Sequence, residues 1–261
     1  MNKPTRLCGG ASASFDAKLA ATRAQLATIA VQGNVVLASS LGAEDMVLLD
    51  LISALPNISA FVLDTGRLHA QTLQLLATVQ STYPTPIEVF KPREVAVNQY
   101  VGSHGLDAIF TSVELRKACC EIRKTEPLQR ALTGKTGWIT GLRRTQSVTR
   151  AELGVREWDA AHGDDGSGGN GGLWKFNPLL EWTEGDVWHY IDTHKVPYNP
   201  LHDQFMPSIG CAPCTRAITP GEDVRAGRWW WENPESKECG LHAPAHAAQV
   251  SIIPIREVAA L

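Results

Sequence analysis

Val35-Val36-Leu37-Ala38-Ser39-Ser40-Leu41-Gly42 is a short apolar run that breaks directly into small residues. Unbroken apolarity from Val35 to Ala38 predicts a strand covered on both faces, since a half-exposed strand would alternate. Upstream, Phe15, Leu19, Leu26 and Ile29 recur near helical spacing until Gly33-Asn34 ends the pattern, and downstream Glu44 to Leu55 reads as a helix. The unit then repeats: Ile58 to Leu63 is a second buried strand, Asp64-Thr65-Gly66 a turn, Leu68 to Thr82 a helix, and Ile87 to Phe90 a third strand. Strand and helix in alternation imply a parallel sheet with helices on both faces, and ligands of such sheets sit beyond the carboxyl ends of the strands. Ser39 to Gly42 and Asp64 to Gly66 both fall at such ends.

Trp138 to Thr140 and Trp174 to Phe176 read as further strands, separated by a glycine-rich stretch from His162 to Gly172 that predicts a mobile surface loop. Thr183 with Asp186 has the form of a capping box and starts a helix running to about His194. After Pro207 the pattern turns irregular. The expected division is an α/β nucleotide-binding body over residues 1–206 and a C-terminal segment over 207–261.

At 261 residues, 44% hydrophobic and 20% charged, the chain can bury one large core. No run approaches the roughly 18 consecutive apolar residues of a membrane span, and Asp16, Lys18 and Arg23 interrupt any signal-peptide core. A cytoplasmic place follows as the expectation, with neither membrane nor nucleic acid as partner at a net charge of -3. In that compartment six cysteines are ligands or nucleophiles sooner than disulfide partners.

Cys119-Cys120 is an adjacent pair, and Cys211-Ala212-Pro213-Cys214 forms a second pair far along the chain. Neighbouring cysteines crowd one tetrahedral zinc ion, whereas a multi-iron cluster offers each sulfur its own iron. On spacing alone an iron-sulfur cluster, a zinc site and buried free thiols or a dithiol pair all stay open. Cys239, in Lys237-Glu238-Cys239-Gly240-Leu241-His242, is of another kind: a polar setting with a glycine beside it suits a reactive thiol, which a nearby cation would activate. Cys8 reads as incidental.

Between Arg116 and Arg150 nine Lys or Arg stand against only Glu121 and Glu126. Lys124, four residues past Cys120, would share its helical face. Arg143, Arg144 and Arg150 follow the Trp138 strand, and arginine forks match phosphate and sulfate oxygens. An anionic ligand is the better account of that window. Ser39, Ser40 and Gly42 offer backbone N–H groups at a helix start, a geometry suited to a nucleotide phosphate.

Taken together the motifs resemble the assimilatory adenylylsulfate (APS) reductases, within the wider group that includes PAPS reductases and PP-loop ATP pyrophosphatases. The resemblance runs from about residue 35 to 242 through SSLGAED (Ser39 to Asp45), DTGRL (Asp64 to Leu68), CCEIRKTEPL (Cys119 to Leu128), GLRRTQSVTR (Gly141 to Arg150), IGCAPCTR (Ile209 to Arg216), GEDVRAGRWWWE (Gly221 to Glu232) and KECGLH (Lys237 to His242). It implies a PP-loop, adenine-nucleotide-hydrolase-like α/β fold: a twisted, parallel-type sheet flanked by helices, with an irregular, mobile C-terminal tail. It implies a 4Fe-4S cluster held by Cys119, Cys120, Cys211 and Cys214, and Cys239 as the nucleophile that takes up sulfonate before thioredoxin releases sulfite. Ser39, Ser40, Gly42 and Gly141 would line the nucleotide pocket. Lys124, Arg150, Arg225 and Arg228 would meet the phosphosulfate, with Arg143 and Arg144 added beside them. Gln71 stands where the family often carries an acidic residue. The implied role is sulfate assimilation toward cysteine, and a homo-oligomer is compatible with it. Three other readings compete: a PAPS reductase, a PP-loop enzyme that cleaves ATP, and a non-catalytic iron-sulfur or zinc sensor that binds a nucleotide.

Overall fold

Alternate residues of the first strand enter different cores, as its unbroken apolarity requires. In the structure, a computed structural model describing residues 10–146, 150, 152–163 and 171–233, helix α1 (Phe15–Ala30) leads into β1 (Val35–Ser39). Val35 and Leu37 pack with the α-helical layer on one face of the sheet, and Val36 packs on the other with Phe61, Leu132 and Trp138. Each such side chain, fully buried, contributes roughly 1.5–3 kcal/mol. Helix α2 (Ala43–Ile52), β2 (Ile58–Leu63), α3 (Ala70–Thr82) and β3 (Ile87–Phe90) follow as the hydrophobic pattern predicts.

The chain then runs through α4 (Glu94–His104), α5 (Val113–Cys120), a π-helical turn (Glu121–Thr125) and α6 (Glu126–Leu132) before β4 (Gly137–Ile139). Two strands, β5 (Arg156–Asp159) and β6 (Leu173–Phe176), and helix α7 (Glu184–His194) complete the body. Strand order is β3-β2-β1-β4-β6-β5. Every pairing is parallel except β5 with β6, so the expected parallel sheet carries one antiparallel edge. The chain winds outward from β1 through β2 to β3, then returns to place β4 on the other side of β1. That reversal opens a crevice between the ends of β1 and β4, the usual ligand position in such sheets.

Helix α7 begins with the expected capping box: Asp186 N–H donates to Thr183 Oγ1 at 3.1 Å, and Thr183 N–H donates to Asp186 Oδ2 at 2.9 Å. The described part of the segment after residue 206 is irregular, as its sequence suggests, yet it lies on the body and buries Cys211, Cys214 and Trp229. Cys8, Cys239 and the rest of Lys237 to His242, most of the glycine-rich stretch and residues 147–149 lie outside the described residues. Among the described residues no helix is long and apolar enough to cross a membrane.

Candidate functional site

A cavity of about 580 Å³ opens at the β1–β4 crevice. Its floor is the turn after β1. Leu41 there takes a left-handed backbone (φ 60°) although it carries a side chain, strain of the kind that gathers where a turn must face a ligand. Leu41 is itself buried, and its N–H donates to Ser39 Oγ at 3.2 Å. Ser40 donates to the Asp45 carboxylate twice, from its N–H at 2.6 Å and its hydroxyl at 2.7 Å. Gly42 caps α2 without a side-chain partner for the helix N–H groups.

The opposing wall is the turn after β4. A methyl group on Gly141 would lie 2.4 Å from Asp45 Oδ1 and 2.9 Å from Glu44 Cβ, so the two turns approach as closely as they do only because residue 141 has no side chain. Burial pushes the Asp45 carboxyl up to about 6 against the opposing hydrogen bonds from Ser40. For Glu44 burial acts the same way, but the Arg143 guanidinium, 2.8 Å from its carboxylate, outweighs it and holds the group below the usual range.

Lys124, Arg143, Arg150, Arg225 and Arg228 all line this cavity with Ser39, Ser40, Gly42 and Gly141. Arg143 is already engaged by Glu44 and by Thr145 Oγ1 at 2.9 Å. Arg144 is not among the lining residues; its guanidinium pairs with Glu181 at 2.8 Å on the surface. Lys124 lines the cavity and also lies near enough to the cysteine group to act on the Cys214 thiol, in keeping with its spacing from Cys120. A π-helical turn from Glu121 to Thr125 widens the helix just after the cysteine pair. Nothing in the sequence pattern marks that turn.

The four cysteines form no disulfide and are buried in one group with Tyr100, Ile109 and Trp229. Each pair is brought in by a different device. Helix α5, capped by the Ser112 hydroxyl at 3.2 Å from Leu115 N, ends in Cys119 and Cys120. The Cys211–Cys214 turn is held by the loop after β2: Ala212 N–H donates to Arg67 O at 2.7 Å, and Thr65 Oγ1 lies 3.2 Å from Cys211 Sγ. Arg123 joins the same loop through Thr65 O at 2.7 Å. Burial, then the neighbouring sulfurs Cys211 and Cys120, push the Cys214 thiol up to about 12, and burial likewise raises Cys119 against the pull of Arg123. Among the described residues no three His, Cys, Asp or Glu side chains are arranged to hold a single metal ion.

Two features escaped the sequence reading. Arg116 is buried on α5 and grips Glu232 with both ends of its fork, at 2.8 and 2.7 Å, while its guanidinium lies 4.7 Å over the Trp229 ring. Gly210 lets Arg228 lie against the backbone, since a methyl group there would fall 2.4 Å from Arg228 Nη2. The Arg228 guanidinium also lies over the Trp229 ring, at 4.6 Å. Trp229 and Lys124 thus belong to the environment of the cysteine group and to the cavity wall at once.

Compared with known proteins, residues 34–217 match the phosphoadenosine phosphosulfate reductase domain. The adenosine 5'-phosphosulfate reductase of Allochromatium vinosum is 59% identical over 211 residues, 80% of this chain and 78% of that protein. That of Burkholderia cepacia is 56% identical over 206 residues, 78% of this chain and 79% of that protein. Among solved structures, a phosphoadenylyl-sulfate reductase from Candida auris in its phosphate complex matches with a TM-score of 0.59 and 25% identity, over 80% of this chain and 100% of that one. FMN adenylyltransferase from Candida glabrata matches with a TM-score of 0.53 over 94% of this chain and 80% of that one, and at 13% identity the likeness is one of fold.

Proposed function

The chain belongs to the phosphoadenosine phosphosulfate reductase domain family, and from that premise we propose that it reduces adenosine 5'-phosphosulfate to sulfite and AMP, with Cys239 as the nucleophile. The observation that carries this reading is the cavity between the ends of β1 and β4, which Ser39, Ser40, Gly141, Lys124, Arg150, Arg225 and Arg228 line together. Small residues and the open start of α2 suit the nucleotide, and the cationic side chains suit the phosphosulfate.

The reaction then divides into two displacements. The Cys239 thiolate attacks the sulfur of the phosphosulfate, the S–O bond to the phosphate breaks, and AMP leaves with the electron pair. Lys124, Arg150, Arg225 and Arg228 meet the negative charge that develops on the leaving phosphate. A thiol donor of the thioredoxin kind then attacks the Cys239 sulfur; sulfite departs, and the donor's second thiol reduces the mixed disulfide. The setting is the cytoplasm, in the assimilation of sulfate toward cysteine. Arg143 shapes the cavity through Glu44 more than it offers a free fork, and Arg144 has no place in the scheme.

Cys119, Cys120, Cys211 and Cys214 would hold a 4Fe-4S cluster. Four buried thiols outside any disulfide, in one apolar group, are the donor set such a cluster takes, and arrangement around several irons does not require the close triad that one ion needs. When bound, it would supply a fixed charged centre joining α5 to the Cys211–Cys214 turn. The thiols carry the electrons in this scheme.

Cys239→Ser separates this reading from a nucleotide-binding sensor: the variant should bind adenosine 5'-phosphosulfate and form no sulfite. A second reading, with 3'-phosphorylated substrate, meets the Glu44, Asp45, Glu184 and Asp203 side chains that line the same cavity. Turnover of the two nucleotides compared side by side decides between them, and preference for the 3'-phosphorylated one would overturn the substrate assignment.

A further inference from the structure

Phe110, Trp230 and Trp231 form an aromatic platform that the reaction above does not use. Phe110 lies 4.5 Å from the Trp231 ring and 6.4 Å from Trp230, and the two tryptophans meet edge to face at 4.8 Å. Phe110 and Trp230 remain 43% and 40% exposed, and Leu106, earlier in the same segment, is 52% exposed. Large aromatic side chains grouped at a surface mark interaction sites, because their apolar faces gain most from being covered. None of the three lines the substrate cavity.

The platform is rigid underneath. Trp229, directly before Trp230, is 1% exposed, donates its backbone N–H to Cys214 O at 3.2 Å and lies under the Arg116 guanidinium, which Glu232 also holds. Described structure ends at Asn233, and Cys239 follows six residues later. Six residues span at most about 21 Å. Whatever discharges the Cys239 sulfur must therefore work within that radius of the platform's root.

We propose that this platform is the docking surface for the dithiol protein that releases sulfite, a partner whose attacking cysteine is exposed within an apolar rim. The inference rests on the reading of Cys239 given above. A protein thiol must approach the Cys239 sulfur closely enough for its S–S bond to form as the S–SO3 bond breaks, with sulfite leaving on the electron pair. Its second thiol then attacks the mixed disulfide, so the partner supplies both electrons, ends as a disulfide, and gives up its thiol protons to Cys239 and solvent. An apolar rim around the attacking sulfur needs an apolar counterpart near the target, and a preordered pair of tryptophans is the residue type that dominates such contacts.

The test uses the full-length chain carrying Trp230→Ser or Phe110→Ser, with steady-state rates measured against thioredoxin and, separately, against dithiothreitol. Because dithiothreitol needs no docking surface, the expected result is a KM for thioredoxin raised about tenfold with the dithiothreitol rate within about twofold of wild type. Trp230→Tyr, which keeps an aromatic face, should restore most of the loss. An unchanged thioredoxin KM overturns the proposal. So does an equal fall with both donors, which would make the platform part of the chain's own sulfonation step or of its stability, and so does a change in the sedimentation of the variant alone, which would make it a contact between copies. Wild-type protein that is sulfonated by its substrate but never discharged by thioredoxin would instead defeat the donor reading, and the docking surface with it.

Discussion

The turn after β1 closes on itself within five residues, Ser40 to Asp45 at 2.6 Å, whereas Cys119 and Cys120 meet Cys211 and Cys214 only after nearly the whole body has been assembled. In the first region a local sequence dictates a local shape: a buried strand runs out, a strained Leu41 turns the chain, and a helix begins. In the second, a π-helical turn, a buried ion pair and a loop from β2 must all be in place before four sulfurs share one pocket. The first region should therefore answer to substitutions in its own few residues and in the β4 turn packed against it, and the second to residues that are not themselves cysteines.

The largest stability effect belongs to the second region. Arg116 and Glu232 are 0% and 2% exposed at their side chains, so Arg116→Met leaves a buried carboxylate without its partner, and a loss of about 3–5 kcal/mol in chemical denaturation is expected. A loss below about 1 kcal/mol would show that the pair is not what holds the Trp229–Glu232 strand of chain to α5.

Next comes the close contact that the turn after β4 makes with the first region. Gly141→Ala places a methyl group against Asp45 and Glu44, with an expected cost of about 1–3 kcal/mol and a marked rise in KM for the nucleotide. Reactivity of the four buried thiols toward a maleimide under native conditions should stay as in wild type, because the change is confined to the crevice. Raised reactivity there would mean the two regions are coupled more tightly than their construction suggests.

A smaller effect follows from Asp45. Its carboxyl is raised from 3.8 to about 6 by burial, so the folded chain binds this proton more tightly than the unfolded chain does. Stability from this group is then present at low pH and declines as pH rises from about 4 through 6. Asp45→Asn removes the titration while keeping an oxygen for Ser40. The variant's melting temperature should gain on wild type across that window and hold a constant lead above it. A lead that does not vary with pH would contradict the burial of this carboxyl.

The smallest effect is expected at Arg144. With its partner Glu181 at the surface, Arg144→Ala should change stability by less than about 1 kcal/mol and leave turnover within about twofold. A large loss of turnover would return Arg144 to the substrate site.

This contrast also explains what could be read from the sequence. β1 to β3, the crevice turns and the capping box of α7 follow from hydrophobic period and cap chemistry, which act over a few residues. The edge strand β5, Arg-Glu-Trp-Asp, is hidden by its charged residues, because an edge needs little burial and its order comes from pairing with β6. The two cysteine pairs stand out in the sequence, but the π-helical turn, the Arg116–Glu232 pair and the return of residues 207–233 onto the body, which bring the pairs into one buried group, are long-range outcomes with no local signature. Likewise Arg143 and Arg144 are adjacent and chemically alike, and only the fold turns one to Glu44 in the crevice and the other to Glu181 outside it.

The account stands on where the sulfonate goes. Purified protein incubated with adenosine 5'-phosphosulfate in the absence of any reductant, then analysed by intact mass and peptide mapping, should carry one sulfonate on Cys239 and release it on adding thioredoxin. AMP formation without such an adduct, or an adduct on Cys8 or one of the four buried cysteines in its place, would contradict it.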